Sequence, residues 1–275
     1  GEKILCWNCG DFSVDKKFRT LGVALKLRRE AKESVESGEV AAFYAHPNER
    51  MEVVHQKVGH HKLGSMQRYV KLLRVDRHVA KKVNNHLVVS LVSSVINLAL
   101  NVYDFRLRAS KAFEIELAGH QEFGAEYDVL FKTTVKEFGV IGDRGASYLN
   151  WRYYQNPLYR TERIVLRQHG KLCGYVIFYV ENGVAIFKDI LCINNDEALQ
   201  TLLIRWVQVL RKRRAFSISA IFMDTNPVLS CFEKVGFVSR PEISSVFAYV
   251  LQNNPIASKW LNKDQWYMTV GDRDV

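Results

Sequence analysis

Val14-Asp15-Lys16-Lys17-Phe18-Arg19-Thr20-Leu21-Gly22-Val23-Ala24-Leu25 is the stretch on which the reading of this chain turns. Two short apolar runs of strand character, 3–9 and 12–14, lead into it. Asp15-Lys16-Lys17 opens a loop. From Arg19 the pattern is helical: Leu21, Ala24, Leu25 and Leu27 fall on one side, with Lys26, Arg28, Arg29, Glu30 and Lys32 around them. The first backbone N–H groups of a helix have no partner inside it and point outward with the positive end of the dipole. A strand–loop–helix start of this kind is a cradle for a pyrophosphate. Gly22 would let the backbone approach the phosphates, Ala24 keeps the surface low, and Arg19 adds a charge-assisted contact or braces the loop.

Downstream, Gly38 is a helix stop. Residues 40–45 are an apolar, aromatic strand ended by His46-Pro47-Asn48. Met51, Val54, His55 and Val58 are helix-spaced before Gly59, and 68–73 alternate as a further strand. A second region begins with the short aromatic helix 148–154, closed by Asn156-Pro157. The runs 163–167, 172–180 and 184–193 read as strands joined by His169-Gly170-Lys171 and Glu181-Asn182-Gly183, the Asn-Gly being a hairpin signal. An amphipathic helix over 197–211 follows, with Leu199, Leu202, Leu203, Trp206 and Leu210 on one face. Strand 217–223, helix 227–235 and strand 246–251 complete the region. The two regions read as one plan used twice, the first copy without its opening strands. An internal echo supports this, Asn48…Lys57-Val58-Gly59-His60 against Asn226…Lys234-Val235-Gly236-Phe237.

Arg19-x-x-Gly22-x-Ala24, preceded by a strand and Val14-Asp15, resembles motif A of the GNAT N-acetyltransferases, R/Q-x-x-G-x-G/A. The family's next strand ends near an Asn and continues N-x-x-A-x-x-L-Y-E-K-x-G-F. This chain has Asn48-x-x-Met51-x-x-Val54-His55-Gln56-Lys57-Val58-Gly59-His60 in the same register. The second region, with YLNWRYYQNPLY from Tyr148, GKLCGYVIF from Gly170 and AIFKDILC from Ala185, resembles the C-terminal half of tandem GNAT-like proteins. Some of those are encoded with polysaccharide-assembly enzymes.

The resemblance implies an α/β fold with a mixed sheet and two GNAT-like halves. Residues 1–78 are expected to form a partial half with the acyl-CoA motif, 79–112 a helical connector, 113–251 a second GNAT-like domain and 252–275 a tail. It implies acetyl-CoA as co-substrate and transfer of the acetyl group to an amine of a small molecule or sugar. Phe12, Ser13 and Val14 would line the acyl group, and Arg19, Thr20, Leu21, Gly22, Val23 and Ala24 would hold the pyrophosphate. Asn48 would hold the pantetheine arm. His55 stands where the family often has a Tyr as general acid. The second copy departs from the pattern: its loop reads Asn194-Asn195-Asp196-Glu197, whose two carboxylates repel a pyrophosphate, and Phe232 takes the position of the Tyr. Two other readings stand beside this one: a non-catalytic acyl-CoA-binding protein, and an aminoacyl-tRNA-dependent peptidyl transferase of the related paired fold.

Composition is compatible with all three. The 275 residues are 48% hydrophobic and 25% charged, enough for a substantial core in two domains or one large one. A net charge of +10 attracts polyanions, among them coenzyme A, nucleic acid and anionic lipid; without a recognition motif, nucleic acid is not favoured. Of the five cysteines, Cys173, Cys192 and Cys231 lie in apolar runs and read as core thiols of a reducing compartment, and no signal peptide opens the chain, so a cytoplasmic location is expected. Cys6-x-x-Cys9 alternates within a strand, and His60-His61 has no partner at ligand spacing, so no metal is expected. Trp151, Tyr153, Tyr154 and Tyr159 are a stacking platform or, more ordinarily, core. Arg211-Lys212-Arg213-Arg214 reads as a solvated helix end. Residues 87–103 carry no charge but contain Ser93, Ser94, Asn97 and Asn101, which points to a helix packed against protein, with no membrane span and monotopic contact as the lesser alternative.

Overall fold

The computed structural model describes residues 2–10, 13–19, 22–241 and 244–273. The first half comprises β1 (Cys6–Asn8), α1 (Val23–Glu36), β2 (Ala42–Ala45), α2 (Glu49–Val58) and β3 (His61–Leu72). Two helices connect the halves, α3 (Asp76–Ala80) and α4 (His86–Phe105). The second half opens with β4 (Glu114–Ala118), α5 (Glu126–Thr134), β5 (Val140–Ile141) and α6 (Ala146–Leu149), the last running into a π turn over Asn150–Tyr154. It continues with β6 (Glu162–Gln168), β7 (Lys171–Glu181), β8 (Val184–Cys192), α7 (Asp196–Lys212), β9 (Ser217–Met223), α8 (Leu229–Lys234), β10 (Val238–Arg240) and β11 (Ser245–Val250). The tail adds α9 (Ala257–Trp260) and β12 (Trp266–Tyr267).

One mixed sheet of ten strands runs through the molecule in the order β1-β2-β11-β3-β9-β8-β7-β6-β4, with β10 beside β3. β6, β7 and β8 form an antiparallel meander. Both of its turns place their two central residues in the left-handed region, His169-Gly170 at φ 52° and 75° and Asn182-Gly183 at 49° and 73°. That is the geometry of the tight hairpin turns whose twist matches the flanking strands. α7 lays the face of Leu199, Leu202, Leu203, Trp206 and Leu210 on this meander as its main apolar cover.

The halves exchange strands. β1 and β2 are parallel, as are β8 and β9, each pair bridged by a helix. Next to β2 lies not β3 but β11, from the end of the second half. The start of β3, from His61 to Ser65, pairs with β11 on its other side. The rest of β3, from Met66 to Leu72, pairs with β9, and its Arg68–Val70 also pair with β10. Each half is thus completed by a strand of the other. Twelve residues at roughly 3.3 Å each let one strand serve both.

Four expectations are corrected. α1 begins at Val23, not Arg19, because Gly22 sits at φ 72° outside the helix and Lys16–Phe18 make a separate 3-10 turn. Residues 13–14 are loop, not strand. The segment 87–103, expected to pack against protein, is largely exposed: Ser93 and Asn97 face the body while the apolar side chains face out. Arg211 also leaves its solvated run. It donates to Asp104 (2.7 Å) and to the Leu73 carbonyl (2.7 Å) at the root of α4. In the aromatic cluster Tyr153 is core and Trp151 is exposed, while Tyr159 stacks on Tyr179 at 4.9 Å.

Candidate functional site

β1 is three residues long and follows β2 in register as far as Asn8; the Cys9 N–H then donates to the Tyr44 carbonyl at 2.9 Å before the chain leaves the sheet. Asp15 caps the 3-10 turn by accepting from the Lys17 N–H at 3.0 Å. Arg19 folds back and donates through Nε to the Val14 carbonyl at 3.0 Å, so it braces the loop. Of the residues expected to contact the acyl group and pyrophosphate, Phe12, Thr20 and Leu21 lie outside the described residues. Ser13 is exposed and Val14 half-buried at the loop's entrance.

Gly22 is the N-cap of α1, and the first bond of the helix runs from the Lys26 N–H to the Gly22 carbonyl at 3.0 Å. A Cβ there would meet nothing within 4 Å. The left-handed backbone, not a close approach, is therefore what calls for glycine. Gly22 brings no capping side chain, and the first turn carries no acidic residue. Among the described residues no side chain caps the N–H groups of Val23, Ala24 and Leu25, which stand at the positive end of a 14-residue helix.

The equivalent end of α7 is closed. Asn195 Oδ1 accepts from the Ala198 N–H at 3.0 Å, and Asp196 and Glu197 occupy the first turn. Beyond Ile186 and Ser219 the strands β8 and β9 separate, and the tail fills the gap. Tyr267 donates to the Ile190 carbonyl on one side (2.6 Å), and the Met223 N–H donates to the Met268 carbonyl on the other (3.1 Å). Asn226, the counterpart of Asn48, donates through Nδ2 to the same Met268 carbonyl at 2.8 Å. A cleft of about 320 Å³ remains beside this plug, and Glu137, Asp196 and Asp264 are among its walls.

A buried ion cluster holds the plug in. Arg144 donates to both carboxylate oxygens of Asp272, at 2.8 and 2.6 Å, and to Asp189 at 3.3 Å. Thr269 and Tyr175 donate to the two oxygens of Asp189 at 2.9 and 3.2 Å. Burial alone would push Asp189 towards its neutral form, and the Arg144 guanidinium opposes that. The Asp272 carbonyl then reaches the first half, where it accepts from Tyr44 Oη (2.8 Å) and Asn8 Nδ2 (3.4 Å).

In the first half, Asn48 is exposed and caps α2 through the Met51 N–H at 3.1 Å; no described residue takes its Nδ2. His55 is 1% exposed and meets His60 Nδ1 to Nδ1 at 2.8 Å. Its ring packs on Phe247, and the His60 ring on Phe43. Burial, and then the nearby Arg28 cation, lower His55 to about 4. Burial, and then His55, lower His60 to about 3. Both are neutral at pH 7, so in their shared contact one nitrogen donates and the other accepts. The second half has Phe232 and Phe237 at the matching positions, in ring contact at 4.7 Å against 4.9 Å for the histidines. Arg28, also buried, donates to the Cys9 carbonyl at 3.4 Å and links this pair to the end of β1. Arg28 carries no signal in the sequence, because its partners are remote; His60 stands out there only in His60-His61 and in its echo by Phe237, and neither pattern points to its contact with His55.

No family model matches the chain, and no curated protein matches it in sequence. Solved structures do match in fold. A GCN5-related N-acetyltransferase from Anabaena variabilis superposes with a TM-score of 0.57 at 10% identity, over 85% of this chain and 52% of that one. A probable N-acyltransferase from Enterococcus faecalis gives 0.60 at 11% identity, over 90% and 55%. A tandem GNAT protein from the clavulanic acid biosynthesis pathway gives 0.53 at 14% identity, over 89% and 75%. This chain spans about half the length of the first two. The architecture is thus a mixed α/β GNAT fold, consistent with two GNAT-like halves.

Proposed function

We propose that the chain is an acyl-CoA-dependent N-acyltransferase with its thioester site in the first half, and acetyl-CoA as the donor. The observation that carries this reading is the contrast between two equivalent helix starts. That of α7 is capped, acidic and flanked by an internal plug; that of α1 has no side-chain cap among the described residues, no acidic residue in its first turn, and is reached by a braced cationic loop. The N–H groups of Val23 and Ala24 receive the pyrophosphate. Asn48 Nδ2 donates to a pantetheine carbonyl, as Asn226 donates to the Met268 carbonyl in the other half. The acceptor amine attacks the thioester carbon directly: the C–N bond forms, the C–S bond breaks, and the proton lost by the amine balances the one gained by the departing thiolate. His55, held neutral, acts through an N–H and not as an imidazolium. The acceptor is an amine of a small molecule or sugar, bound between the halves, in a cytoplasmic setting.

Calorimetric titration with acetyl-CoA tests the site. Gly22→Glu puts a strained side chain and a negative charge at the cradle, and binding should fall at least about a hundredfold, the scale of a few kcal/mol. Equal affinity in that variant would remove the site from α1. Binding without turnover on any amine would leave an acyl-CoA-binding protein in its place.

A further inference from the structure

α4 wears its polarity reversed. Its inward stripe is polar: Asn97 accepts from the Val75 N–H (2.9 Å) and donates to Asp76 (3.1 Å), and Asp104 accepts from Lys71 and Arg211, each at 2.7 Å. Ser93 is 2% exposed on the same stripe. The outward stripe is apolar at helical spacing: Leu87, Leu91, Val95, Leu98, Val102 and Phe105 are 76, 70, 69, 64, 49 and 87% exposed. A free-standing surface helix of a globular protein has the opposite arrangement. Large exposed apolar patches mark contact surfaces.

Cations flank this face. Lys81 and Lys82 precede α4, Arg106, Arg108 and Lys111 follow it, and all five are exposed. The one acidic residue between Arg77 and Lys111 is Asp104, which is consumed by Lys71 and Arg211. Arg106 closes a shallow groove floored by Val95, Leu98 and Val102. An apolar face with a cation at its rim matches an acyl chain below an anionic headgroup. Pairing with a second copy brings these cations together in either orientation, on chains that each carry +10. By length and composition alone α4 is long and apolar enough to cross a membrane; its bonds from Asn97 to Val75 and Asp76, and from Asp104 to Lys71 and Arg211, hold it along the body.

We propose that α4 is an interfacial helix that docks the protein onto a membrane surface of anionic lipid, its Leu91–Leu98 face in the acyl boundary and Lys81, Lys82, Arg106 and Arg108 at the headgroups. The inference does not depend on the reading of α1.

The test is co-sedimentation of the full chain with vesicles of phosphatidylglycerol and phosphatidylcholine, and with vesicles of phosphatidylcholine alone. Binding is expected to the anionic vesicles and to weaken as salt rises. Leu91→Glu/Leu98→Glu should lower the vesicle-bound to free ratio about tenfold or more with an unchanged melting curve, since both side chains are exposed. Lys81→Glu/Lys82→Glu should weaken binding and flatten its salt dependence. Absence of vesicle binding, or equal binding to phosphatidylcholine alone, overturns the proposal. So does a dimer in sedimentation equilibrium that Leu91→Glu/Leu98→Glu dissociates in the absence of vesicle binding, which assigns the face to a second copy.

Discussion

His55 and His60 are a pair that the second half builds from two phenylalanines. Their neutrality has a sign that can be measured. Both folded-state values, about 4 and about 3, lie below the ordinary 6.5. The unfolded chain therefore binds more protons in between, and stability that is complete above about pH 6.5 is lost as pH falls towards 4, by up to roughly 1.4 kcal/mol per pH unit per group. Melting temperature should thus fall more steeply from pH 7 to 5 in the native chain than in His55→Phe/His60→Phe. Parallel slopes would mean that the pair is not held neutral. His55→Phe should also leave acetyl-CoA affinity nearly unchanged while lowering kcat about 10²–10⁴-fold if the N–H assists the leaving group. The position of His55 was legible from its place four residues before Gly59. Its burial was not, because its neighbours Phe247 and Arg28 are remote in sequence.

The tail and the loop after β5 are the elements that close the second half. Replacing Arg144 by Met leaves Asp189 and Asp272 buried without their cation, which costs about 3–5 kcal/mol. For a chain of this size that is a fall of roughly 10 °C in melting temperature. Asp272→Asn keeps a neutral acceptor and should cost less. A fall of only a degree or two for Arg144→Met would mean that the cluster does not hold the tail. Residues 252–275 have neither a strong period nor a motif, so the sequence marks them only as a tail. It is ordered by what it fills, the gap between β8 and β9.

Strand exchange makes the two halves one molecule. β11 completes the first half and the end of β3 the second, so neither segment of chain contains all the strands of its own sheet. Residues 1–112 and 113–275 expressed separately should each give no cooperative melt, and co-expression should restore one. The full chain should unfold in a single calorimetric transition, because an opened half leaves an exposed strand edge in the other. Two resolved transitions would show that the halves are energetically independent.

What is local in the chain could be read from it. The two hairpin turns, the apolar face of α7 and the helix stop at Gly59 depend on neighbours a few residues away, and each lies where its spacing points. So does the repetition of one plan. Tertiary structure decided everything that rests on remote partners. It exchanged β3 and β11, laid Met268 against Asn226, joined Arg144 to Asp272 and turned the polar side of α4 inward. Those are pairings of groups that satisfy one another's charge or hydrogen bonds across the fold. Hydrophobic period marks which residues share a face, but not which remote group that face meets, and on α4 the apolar stripe stays exposed.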